Sequence, residues 1–411
     1  MKHFYHVLEL AFMLLEPAFA EASAGPDRFP NTVDFIENDP GHGPTPKDSV
    51  AGGHSALFTS HTGLNPLRFS GATPTDVPTF GVPASTAPAP RSAKARRGDL
   101  VDLRPLSSSP ILRIYEDDDF FNIRGKGTDE GYTNGSRIDY FYVKHHADRD
   151  ADRWLMPNAG KSTVNTYGWG IMEIMYTPTN LKASDYLPSN YPYSGAMYLA
   201  HTKYSFNPIA RFAFETELVG GLMGPAAAAG PIQYWFHGAI DYQRPEGWKN
   251  QFPDDILLNE NLTVEKEILH LGRGLEWIAG ATGNLGTMQD GGTVFSTVRV
   301  GWMNPYFDGY NAQYQGRGHR RFQLYVFGTP KAEWVAYDAM LEGGLLSRND
   351  DRSKFDNFAP RVKRGVAEID YGLVLVDGGF SAAYTQKTMS TTLRGMGMHE
   401  VGNISFFVTL H

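Results

Sequence analysis

The sequence predicts an all-β fold: an antiparallel transmembrane β-barrel of about twelve strands, with one short helix in an extracellular loop. Three observations carry this expectation. Segments of about ten residues alternate apolar and polar side chains, as strands with two different faces do. Aromatic residues reach 13% and glycines number 44, enough for interfacial girdles and for bends. The N-terminus is laid out like a secretion signal.

Taken in order, Lys2 and His3 precede the run Val7 to Leu15, and Ala18-Phe19-Ala20 has the spacing of a cleavage site, although Glu9 and Glu16 interrupt the apolar stretch. Residues 1–22 are therefore read as a signal peptide. Residues 23–106 are rich in Pro, Ser and Ala and lack periodicity. Such a composition buries too little apolar surface to offset its ordering entropy, so the segment is read as a disordered leader. Residues 107–411 are assigned to the barrel.

Strand one is expected near 110–120, ending at Asp118, and strand two descends from Thr133. Strand three is placed near 165–177, a short turn at Phe206-Asn207-Pro208, and strand five near 210–220. A helix from Ile232 to Gln243 then interrupts the rhythm and carries His237. Further on, Val298, Val300 and Trp302 alternate with Arg299, while Ile369, Tyr371 and Leu373 alternate with Glu368 and Asp370. Near the end, Ile404, Phe406 and Val408 alternate with Ser405 and Thr409. A soluble sandwich would alternate in the same way. Strand length, aromatic content and the secretion signal favour the membrane barrel.

Composition narrows the chemistry. A net charge of −8 argues against nucleic acid as a partner, and the absence of cysteine removes thiol nucleophiles and thiolate metal sites. The run Glu116 to Asp119 offers hard oxygen ligands that suit Ca²⁺, although a solvated acidic loop has the same composition. Thr133 presents a hydroxyl. Lys182 could meet a phosphate, and His237 sits among aromatics, where histidines are more often structural than catalytic. Topology adds what no single motif does. If the N-terminus is periplasmic and odd strands run outward, Asp117, Asp118, Thr133, Lys182 and His237 all fall at one rim, the extracellular one.

At these residues the sequence resembles the lipid A 3'-O-deacylase family. The acidic segment before Phe120 is similar to that family's opening Asn-Asp pair, and Thr-Asp-x-x-Tyr-Thr-Asn-Gly stands at Thr128 to Gly135. Met-Tyr-Thr-Pro at 175–178, Gly-Pro at 224–225, His237 and Gly-Trp-x-x-Gln at 247–251 follow in the family's order. The resemblance implies an outer-membrane, Ca²⁺-assisted esterase acting on lipid A of the lipopolysaccharide, with no protein partner predicted. It implies His237 as general base, Asp117 and Asp118 at the metal, Thr133 in the active site and Lys182 on the substrate. Two residues depart from the family: Asp117 replaces Asn, and Gln243 replaces the Glu beyond the histidine, so the charge that would support a protonated imidazole is missing. The rival readings are a non-catalytic barrel of the same fold, a porin with an open lumen, and an outer-membrane phospholipase. No Gly-x-Ser-x-Gly element supports a serine hydrolase.

Overall fold

In the computed structural model, residues 109–124, 130–144, 154–272, 274–315, 320–347 and 355–410 are described. The expected signal peptide and leader lie outside them, as do Thr128 and Asp129 of the motif and His411. The strands are β1 (Ile111–Asp118), β2 (Gly131–Tyr142), β3 (Val164–Thr177), β4 (Ser194–Asn207), β5 (Phe212–Met223) and β6 (Asp255–Leu271). They continue as β7 (Leu275–Gly286), β8 (Gln289–Trp302), β9 (Phe322–Asp338), β10 (Gly365–Asp377), β11 (Phe380–Met389) and β12 (His399–Thr409). Each strand is antiparallel to its sequence neighbours, and β1 closes on β12 with Ile111 opposite Thr409 and Asp118 opposite Gly402. Closure leaves no strand edge unpaired, the condition for a sheet to sit in lipid. Among the described residues no helix is long and apolar enough to cross a membrane.

The alternation read from the sequence is present, and its direction decides the environment. Trp302 is 61% exposed on the outer face, while Arg299, three residues away on the same strand, is 3% exposed. Trp169, Leu199, Val326 and Leu373 likewise point outward, whereas Arg137, Asp139, Gln323 and Gln386 are buried inside. A soluble sandwich would place the apolar face inward. This barrel has the reverse arrangement, as lipid requires.

Inward charges are paired rather than lining a channel. Arg113 and Arg137 both bind Asp139, at 2.7 and 2.8 Å, and Arg137 also reaches Glu217 at 2.6 Å. Arg299 meets Glu276 at 2.7 Å, and Lys331 meets Asp370 at 2.6 Å. Removing one partner of such a buried pair typically costs about 3–5 kcal/mol. The end where odd strands begin, here the lower rim, is filled by the β8–β9 connection with its short helix α2 (Tyr310–Tyr314). Tyr310 packs 4.6 Å from Phe141 and 4.7 Å from Tyr204, and Tyr314 stacks 4.0 Å from Phe407. Asn304 and Gln323 bind the plug's carbonyls at Ala312 and Gln313. At the upper rim, helix α3 (Ala339–Glu342), Phe355 and Phe358 join the cluster of Val335, Tyr337 and Phe252. An open lumen of the porin kind is absent among the described residues.

Candidate active site

The upper-rim connection between β5 and β6 carries helix α1 (Ala229–Ala239). Gly224 turns the chain with φ +85°, a conformation that suits glycine, and its N–H donates to the Gly195 carbonyl on β4 at 2.9 Å. A side chain on Gly195 would overlap the Ala229 Cβ, so the helix lies directly on the strand. Gly195 alternates with exposed Leu199, which places the contact on the outer face of the wall. Met175, Leu181, Tyr193, Ala229 and Trp248 form a small apolar cluster there, outside the lumen. Glu246 N donates to Leu181 O at 2.8 Å, and Phe252 N donates to Tyr193 O at 3.1 Å, tying the segment after α1 to the β3–β4 loop.

The helix differs from the expected Ile232–Gln243. It starts earlier, since Pro231 is tolerated in a first turn, and stops at Ala239. Asp241 takes a left-handed φ of +54°, and Tyr242 N returns to His237 O at 2.8 Å. That early stop lets the chain double back, so that the Gln243 carbonyl lies 2.6 Å from His237 Nδ1. A carbonyl only accepts, so Nδ1 carries the proton and the neutral ring holds its lone pair on Nε2. His237 is 5% exposed, and the Tyr242 ring packs edge-on at 5.1 Å. Burial pushes the imidazole below its ordinary range, while the Gln243 carbonyl and the charge of Asp118 pull it back up.

Asp118 is thus close enough for its charge to act on His237. It caps the turn Asp119–Phe121, accepting from Phe120 N at 2.8 Å, and Asn134 bridges it to Glu116. Thr133 occupies a β-bulge, where the register slips between Tyr132 and Asn134. Its hydroxyl meets that of Thr177 at 2.7 Å. Lys182 is exposed on the β3–β4 loop. Asp117 faces the other way. Inside the lumen its carboxylate accepts from Lys387 at 2.7 Å, Tyr115 at 2.6 Å, Tyr132 at 2.9 Å and Asn403 at 2.9 Å.

The family described as outer membrane protein LpxR matches residues 82–410. The chain belongs to this family. Among solved structures, LpxR from Salmonella typhimurium aligns with a TM-score of 0.59 at 14% identity, covering 73% of this chain and 100% of that one. The beta domain of the Bordetella autotransporter Brka (TM-score 0.36, 7% identity, 74% and 99% covered) and the KdgM porin (0.30, 5%, 73% and 99%) are more distant. No match is found among curated proteins. Membership of the LpxR family makes the chain an outer-membrane barrel of the lipid A deacylase kind.

The LpxR resemblance also implies calcium, which prefers six to eight oxygen donors. Among the described residues no three His, Asp or Glu side chains converge on a metal position. The expected pair Asp117 and Asp118 does not serve as two ligands, because neighbouring strand residues point to opposite faces and Asp117 is committed to Lys387. Of the expected pair, Asp118 alone stays on the outer face, beside Asn134, as a donor to such a cation. Gln243 also takes a different part from the one expected, since its backbone carbonyl, not its side chain, holds the histidine. Sequence reasoning passed over Thr177, which lies within a motif it singled out, and Gln233, one helical turn before His237.

Proposed function

We propose that this barrel hydrolyses the 3'-linked acyl ester of lipid A, with His237 as the general base. The observation that carries the reading is the His237–Gln243 bond on a helix face buried against the outer wall, which fixes the tautomer a base needs. His237 Nε2 takes a proton from water, and the water oxygen bonds to the ester carbonyl carbon. Collapse of the oxyanion breaks the bond to the sugar oxygen, which leaves with the proton from the imidazolium. The products are a free fatty acid and a lipid A hydroxyl. No step is routed through a cation.

Position supports the substrate. The site lies outside the lumen, above the exposed apolar residues Ile171, Leu199 and Leu222, so acyl chains can lie along the wall while the sugar stays at the rim. Exposed Lys182 suits a lipid A phosphate. With a periplasmic N-terminus the upper rim is extracellular, which brings the site to the outer leaflet. The test is mass spectrometry of lipid A from cells producing the parent or His237→Ala. The parent should lighten lipid A by one acyl group, and loss of the base should slow this by about 10²–10⁴-fold. Unmodified lipid A with the parent overturns the reading; full activity in the variant overturns the base.

A further inference from the structure

β2 departs from regular pairing at one place, and the departure decides which way Thr133 faces. Arg137 and Asp139 on the same strand are buried inside the barrel, and unbroken alternation would send Thr133 there too. The bulge between Tyr132 and Asn134 turns it outward instead. Its hydroxyl meets that of Thr177, which shares a face of β3 with the exposed Trp169 and Ile171. Tyr132, just before the bulge, still points inward and donates to Asp117 at 2.9 Å.

A bulge disrupts the ladder locally, and here the neighbouring strand also ends. β1 stops at Asp118 opposite Asn134, so pairing on that side of β2 does not reach Tyr132. His399 fills the gap. It opens β12, beyond the last β1–β12 pair at Gly402, on the strand face that also carries Asn403. The ring is 8% exposed, and its Nε2 lies 2.7 Å from the Tyr132 carbonyl. A carbonyl only accepts, so Nε2 donates. We infer, on the ester-hydrolase reading above with Thr133 in its site, that His399 is a positioning residue for the reaction. Through this one bond, made from the inner side of the wall, it holds the bulge that turns Thr133 to the outer face. Without the donor the carbonyl loses its partner, and a one-residue slip back to regular pairing sends Thr133 to the lumen.

The test turns on reach. Gln carries an amide N–H out to where the histidine Nε2 stands, whereas Asn is too short, and both are polar. Purified, refolded His399→Gln and His399→Asn barrels are assayed on lipid A beside the parent, with heat-modifiable electrophoretic mobility reporting closure. His399→Ala, which also withdraws the donor, replaces His399→Asn if that variant does not close. His399→Asn should lose about 10–10²-fold in kcat at nearly unchanged KM, and His399→Gln should stay within about threefold of the parent. In a Thr133→Val background the same His399→Asn change should cost almost nothing more, because its effect runs through Thr133. Equal rates for closed His399→Gln and His399→Asn would overturn the inference, since the bond would then carry no effect. So would losses that multiply in the Thr133→Val background, a raised KM with kcat intact, or a parent-like rate in Thr133→Val alone. A parent inactive on lipid A would instead overturn the hydrolase reading.

Discussion

At His237 the nitrogen that meets Gln243 faces a main-chain carbonyl, so the tautomer is set without any carboxylate in the loop. The Gln243 departure from the family's Glu is thereby reduced to a change in a side chain that does not make the contact, and Gln243→Ala should leave kcat nearly unchanged. The pH dependence follows from burial. Because the folded imidazole sits below its ordinary value of 6.5, the base is already neutral at pH 7 and kcat/KM should be flat upward from there. Activity should fall on acidification only as pH drops through that lowered value. Asp118 raises the histidine, so Asp118→Asn removes the raising charge and should move the acid limb to lower pH. A limb that moved upward or stayed put in a pH–rate series would break the link between the two residues.

At the scale of elements, the position of α1 depends on one close approach. Gly195→Ala would push the helix off β4 while leaving the ladder hydrogen bonds in place. Displacements near 1 Å at a catalytic group can cost about 10²-fold, so a comparable loss of rate with an unchanged unfolding midpoint is expected. A lowered midpoint in thermal mobility shifts, with rate per folded molecule preserved, would refute it. The strands were legible because period-two alternation survives in β8, β10 and β12, and parity alone gathered Asp118, Thr133, Lys182 and His237 at one rim. Which face met lipid was not legible, since alternation has no sign. That Asp117 and Asp118 part to opposite faces follows from the same period of two. Gln233 was passed over because its tie to Trp248, fifteen residues downstream, appears only once the loop has folded back. The plug was not legible, as Tyr306 to Tyr314 reads as an ordinary aromatic connection until the barrel closes around it.

For the whole molecule, the barrel serves as a wall and not as a conduit. Its lower end holds Phe307, fully buried, with Tyr310 and Tyr314 wedged among Phe141, Tyr204 and Phe407. Above them the lumen is crossed by paired charges, and α3 with Phe355 and Phe358 fills the upper mouth. Each aromatic so buried contributes about 1.5–3 kcal/mol, and a hydrated channel would forfeit that. Substrate must then reach α1 sideways along the outer wall, and the plug can change without touching the chemistry. In planar bilayers the protein should give no conductance steps, whereas the double variant Tyr310→Ala, Tyr314→Ala should open intermittent ones. The same variant should still deacylate lipid A at close to the parent rate, because no plug residue contacts the outer face. Steady conductance from the parent would contradict the sealed lumen. A loss of deacylation in step with plug removal, at unchanged folding, would show that substrate enters through the barrel after all.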